Sequence, residues 1–129
     1  MSGPRRLKKE QPVEKVVGKS DSISFSFDLL HEVSYTDCED AGFFIKFLQR
    51  LKKLCSIDWN VINTTQRHSF GYEKIPISLI KKDVNITKDI NFLFAFRATG
   101  DNHVFLGFRD GNVFQVVFIE SNFGDIYEH

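Results

Sequence analysis

The chain has 129 residues, 42% hydrophobic and 26% charged, with 17 Lys and Arg balanced by 17 Asp and Glu. That is enough apolar material for one self-sufficient core, with 14 Phe supplying much of it, and it excludes a disordered chain and a disulfide-stapled miniature. Two cysteines, Cys38 and Cys55, make no disulfide framework and suit a reducing compartment, and no apolar run approaches the ~20 residues that span a bilayer. With no apolar leader at the N-terminus either, the expected location is cytoplasmic, with no membrane partner.

The zero net charge conceals a division. Residues 1–20 carry six basic and two acidic side chains, whereas residues 21–129 carry 11 basic and 15 acidic ones. The expected organisation is a flexible basic arm over 1–20, able to lie along phosphates or simply to aid solubility, followed by a single α+β domain over 21–129. An acidic body needs a locally concentrated basic patch before it can contact nucleic acid.

From Ser22 to Leu30 apolar and polar residues alternate, with Ile23, Phe25, Phe27 and Leu29 on one side, which predicts a strand with one dry face. Thr36 and Glu39 have capping-box spacing ahead of a helix over about 37–55. Its apolar stripe reads Phe44, Phe47, Leu48, Leu51, Leu54 and Cys55, and its basic residues gather toward the C-terminal end, where the helix dipole favours them. Gly42 suggests close packing or a slightly later start. Ile57, Trp59, Val61 and Ile62 read as a short strand or turn, and Tyr72 to Ile80 as an extended piece broken by Pro76.

Three strands then follow, Phe92–Ala98, His103–Arg109 and Val113–Glu120. The loop Thr99-Gly100-Asp101-Asn102 sets Phe94 opposite Gly107. The pair Asp110-Gly111, a strong hairpin signal, sets Phe108 opposite Val113, Leu106 opposite Gln115 and Val104 opposite Val117. Phe92, Phe94, Phe96, Phe105, Phe114, Val116 and Phe118 then share the face that receives the helix. The opposite face, with Leu93, Ala95, Val104, Leu106, Phe108, Val113 and Val117, is too apolar to stand in water. Its cover is either the 57–90 region, a second copy of the chain or a partner protein. The fold class is α+β: an antiparallel β-meander packed against an amphipathic helix, with the N-terminal strand joining the sheet.

Metal-independent chemistry on a phosphodiester needs a proton acceptor, a proton donor and a cation. His68, preceded by Arg67 in a polar loop, is a candidate acid–base group, and Arg67 and His103 are candidate binding residues. Arg97 and Arg109 each close an apolar strand, where a fixed guanidinium fork can meet phosphate. On this register the two point to opposite faces, so that only a bulge or slip would unite them. Tyr127 is either a plug fastening the tail or an aromatic brought to the sheet. No metal-ligand spacing, phosphate loop or dinucleotide fingerprint occurs, so neither metal nor cofactor is expected.

Residues 96–127, from Phe-Arg-Ala-Thr-Gly-Asp-Asn-His through Phe-Gly-Asp-Ile-Tyr, resemble the C-terminal half of the RelE/ParE-like toxins of prokaryotic toxin–antitoxin systems. The resemblance implies a strand, helices and a meander with an aromatic tail. It also implies that Arg97 and Arg109 contact phosphate while Tyr127 is the tail aromatic; His68 has no counterpart. The chain departs from the family in having one clear helix before the meander and an acidic body. Three functions stay open: a protein–protein interaction module using the second apolar sheet face, by self-association or with a partner; a metal-independent ribonuclease acting on messenger RNA; and a non-catalytic RNA-binding protein.

Overall fold

The computed structural model describes residues 22–36, 40–64, 70–84, 86 and 89–129. Five strands form one sheet: β1 (Ser24–Ser26), β2 (Tyr72–Pro76), β3 (Phe92–Arg97), β4 (Val104–Asp110) and β5 (Val113–Ile119), in the order β1-β5-β4-β3-β2. β2 to β5 are antiparallel, and β1 joins the far edge parallel to β5, with Ser24 beside Val113. Three helices complete the fold, α1 (Val33–Thr36), α2 (Ala41–Leu54) and α3 (Trp59–Thr64). The α+β class and the addition of the N-terminal strand to the sheet agree with the sequence pattern. The basic arm over 1–20 lies outside the described residues.

The first strand is shorter than its alternation implies. Ile23 is buried, but Phe27 is 42% exposed and the chain turns at once, the Leu30 amide donating to the Phe27 carbonyl at 3.1 Å. α2 begins after Asp40, whose Oδ1 accepts from the Phe43 amide at 3.1 Å. The cap is therefore Asp40 and not Thr36, which leaves Gly42 in the first turn, where its cost is small. Glu39, the other half of the expected box, lies outside the described residues. The buried stripe of α2 is Phe43, Phe47, Leu51 and Leu54; Leu48 and Cys55, expected on it, are exposed. The stretch around Trp59, expected as a short strand or turn, is helical, because Asp58 caps it, its Oδ1 accepting from the Val61 amide at 3.1 Å. Trp59 and Ile62 enter the core beneath α2.

The register of β3 on β4 is the expected one, Phe94 opposite Gly107. The second hairpin differs. Asp110 pairs with Val113, so the loop is Gly111-Asn112, with Gly111 at φ +64°. Phe108 therefore meets Gln115, two places from its expected partner. A bulge between Leu106 and Gly107 adds one more place, bringing Leu106 opposite Phe118. The bulge reverses the facing of the β5 residues beyond it: Phe118 leaves the helix side for the second face, and Ile119 takes the place opposite Phe105.

Two cores result, one on each side of the sheet. On the helix side Phe96 and Phe105 stack at 5.4 Å, and Phe114 meets Phe96 edge-on at 5.0 Å. The second face is covered by the chain itself. Ile77, Ile80, Val84, Ile86 and Ile90 cross one part of it, Val33 reaches it from α1, and the tail seats Ile126 and Tyr127 against Val104, Leu106 and Phe118. Ser34, fully buried, accepts the Ile119 amide on Oγ at 3.0 Å and fixes α1 to β5. Of the seven residues expected on this face, Leu93, Ala95, Val104, Leu106 and Val117 are buried within the single chain, and Phe108 and Val113 are half-buried. Among the described residues no helix is long and apolar enough to cross a membrane.

Candidate active site

The tail that covers the second face also creates its most polar feature. Glu120 follows β5 directly, and its amide donates to the Val104 carbonyl at 2.8 Å, which extends the β4–β5 pairing by one step and carries the carboxylate inside. The residue is 0% exposed. The Gly124 amide donates to Oε2 at 2.9 Å, and His129 Nε2 lies 2.9 Å from Oε1 and 2.8 Å from Oε2. The imidazole is held between two aromatic rings, Phe123 at 4.2 Å and Tyr127 at 4.3 Å, both stacked. With Glu120 ionised, Nε2 carries the proton toward the carboxylate and Nδ1 presents a lone pair. Burial pushes the Glu120 carboxyl above its ordinary value, more than the bonds from His129 and Gly124 pull it down.

This pair sits beside a cleft. One lobe, about 250 Å³, is lined by Glu73, Lys74, Ile75 and Pro76 of the β2 edge, by Leu79 in the turn after it, and by Tyr127, Glu128 and His129. A narrower lobe of about 70 Å³ shares Glu73, Tyr127 and His129 and adds Ala95, Arg97, Asn102 and Val104. Arg97 is presented to it by β3, and its fork is steadied by the Asp101 carbonyl and by Asn102 Oδ1, the latter 3.2 Å from Nη1. A cation, an imidazole and a buried carboxylate behind that imidazole thus meet in one depression.

The other expected site residues are distributed differently. Tyr127 is buried in the tail and lines the cleft. His103 stands beneath the site as a support: its Nδ1 is 3.0 Å from the Glu120 carbonyl, an acceptor, so Nδ1 bears the proton, and its ring packs near Phe43 and Phe123. Arg109 is across the sheet, opposite Phe114, with its guanidinium carbon 4.2 Å from the Trp59 ring centroid and its Nε donating to the Gly111 carbonyl at 2.6 Å. The bulge that could have brought Arg97 and Arg109 together occurs instead at Leu106–Gly107, and the two arginines stay on opposite faces. Arg67 and His68 lie outside the described residues.

Glu120 and His129 are the residues that sequence reasoning missed. The available signal was the apolar pair Ile126 and Tyr127, which implies a tail folding back on the sheet and carrying His129 with it. Among the described residues no group of three or more His, Cys, Asp or Glu could hold a metal ion.

Arg109 should be structural only. Arg109→Ala removes an exposed cation–aromatic contact worth about 0.5–1 kcal/mol, and its unfolding midpoint in denaturant should fall slightly with the slope unchanged.

Comparison with known proteins returned no matching family model, no matching curated protein and no matching solved structure.

Proposed function

We propose that the protein is a metal-independent ribonuclease whose chemistry takes place in the cleft beneath the tail. The observation that carries this reading is the meeting of Arg97 with His129 in one cleft while a fully buried Glu120 backs the imidazole. An oriented proton acceptor and a cation for phosphate are two of the three groups that metal-independent phosphoryl transfer needs, and water serves as the third, the proton donor, its hydroxide then taking the proton held on His129. His129 Nδ1 accepts the proton of a ribose 2′-hydroxyl, and the 2′-oxygen forms a bond to phosphorus. The bond from phosphorus to the 5′-oxygen breaks, and the leaving oxygen takes a proton from water. The products are a 2′,3′-cyclic phosphate and a 5′-hydroxyl end. Arg97 balances the charge that gathers on the non-bridging oxygens, and Tyr127 holds the imidazole plane by stacking. The RelE-like resemblance of residues 96–127 supports the same reaction through Arg97 and Tyr127, with Arg109 outside it.

The test is cleavage of a single-stranded RNA by the parent, Arg97→Ala and Arg109→Ala. The expected result is a loss of roughly 10²-fold or more for Arg97→Ala, the scale of losing a preorganised charge contact, with Arg109→Ala close to the parent. Equal rates for the parent and Arg97→Ala would remove Arg97 from the chemistry. Exposed Ile45 and Leu48 on α2, 58% and 64% accessible, favour a second reading, a protein-binding module without chemistry. That reading expects RNA left intact by every variant.

A further inference from the structure

The body of the protein is acidic, but α2 is not. Its 14 residues carry Lys46, Arg50, Lys52 and Lys53 with no acid, whereas the rest of residues 21–129 holds seven basic and 15 acidic side chains. Lys46, Arg50 and Lys53 recur at helical spacing and so lie along one stripe of the helix. Arg50 and Lys53 both address the ring of Phe70, at 4.5 and 5.5 Å from its centroid. Arg50 also reaches the strand end that carries Arg97: a methyl group built on Gly100 would come within 3.9 Å of its Nη1. Burial, and then the nearby Arg97 charge, hold the Arg50 guanidinium below its ordinary value, which places the two cations in one electrostatic neighbourhood. The stripe therefore runs from Phe70 along α2 to the 99–102 loop that holds Arg97, with Asp40 and Asp101 sharing the surface around Lys46.

We propose that this stripe is a track for single-stranded RNA that leads the strand to the cleft, an inference that rests on the ribonuclease reading and names how its substrate is held. Charge complementarity selects the occupant, since the stripe is the concentrated basic surface that an acidic body needs to hold a polyphosphate, and it is continuous with the site. Spaced cations beside an aromatic ring are the means by which proteins follow a single strand without reading its sequence.

The probe is a fluorescent 2′-O-methyl oligouridylate, which lacks the attacking hydroxyl and so reports binding alone. The parent should bind it with an affinity that falls as salt rises. Lys46→Gln with Lys53→Gln, both exposed positions, should weaken binding about tenfold and reduce the slope of log affinity against log salt by about 1.4, from ~0.7 per phosphate contact. Lys82→Gln, away from the stripe, should bind as the parent does. Parent-like affinity in the double variant, an equal loss in Lys82→Gln, or no binding by the parent would each overturn the track. The two proposals fail separately: a double variant that binds as the parent does while the parent still cleaves RNA refutes the track alone, and stripe-dependent binding by a parent that cleaves nothing refutes the ribonuclease reading alone.

Discussion

Gly107→Ala is expected to be the most damaging single substitution in the described fold. An alanine Cβ built there would stand 1.9 Å from the backbone oxygen of Gln115, 2.8 Å from its carbonyl carbon and 2.9 Å from the Phe114 ring. Two of those atoms are backbone, fixed by pairing on β5, so the methyl cannot be accommodated by turning a side chain. The β4–β5 ladder would have to separate at the bulge, which sets the facing of Phe118 and Ile119 and thereby assigns them to the two cores. The expected loss is about 4 kcal/mol or more, at the upper end of the range for point substitutions. That is a large share of the ~5–15 kcal/mol that holds a domain together. Equilibrium denaturation should show a greatly lowered midpoint or an unfolded protein at room temperature. A stability within about 1 kcal/mol of the parent, the ordinary cost of a point substitution, would place the bulge elsewhere in the sheet.

The second large effect is expected at the Glu120–His129 pair, where two substitutions separate stability from chemistry. Glu120→Ala strands the Gly124 amide and leaves His129 without its anchor inside the tail, at a cost of about 2–4 kcal/mol. Glu120→Gln keeps the shape and removes the buried charge. The folded-state pKa of Glu120 is raised, so the folded protein binds this proton more tightly than the unfolded chain does. The contribution is complete below the ordinary carboxylate value and is lost as pH rises through the raised one. The parent should therefore lose stability across that interval, while Glu120→Gln should show a flatter profile and match or exceed the parent at neutral pH. Cleavage should respond in the opposite direction, falling roughly 10²–10⁴-fold in Glu120→Gln, because an amide neither fixes the donor tautomer of His129 nor stabilises its cation. His129→Ala should fall at least as far. A variant both more stable and less active is the signature of a functional carboxylate held at a cost to the fold.

Much of this fold can be read from residue order, and the gaps have physical causes. Alternation over Phe92–Ala98 and the four-residue loop after it specify the β3–β4 register, because a slip would put Phe94 and Phe96 in water. The same alternation misleads at Phe27 and Leu29, where β1 has ended and the pattern persists without a partner strand. Asp110-Gly111 marks the second hairpin but not which two residues form its loop. The isolated Gly107 in an apolar strand was the sign of the bulge that shifts everything beyond it. Around Trp59, β-branched neighbours imitate a strand, and the capping Asp58 is the cue that decides for helix. Arg97 and Tyr127 were identifiable as site candidates because they close or follow apolar strands. Glu120 and His129 were not, since their pairing depends on the tail crossing the second face, a long-range event written only in Ile126 and Tyr127.

The most direct test of the central claim is end-group analysis of a single-stranded RNA incubated with the full chain in the presence of a chelator, beside the same sequence with 2′-O-methyl riboses. Cleavage that leaves 2′,3′-cyclic phosphate and 5′-hydroxyl ends on the first RNA, with the methylated strand intact and His129→Ala inert, is the expected result. An untouched RNA, cleavage of the methylated strand, or full activity in His129→Ala would contradict it.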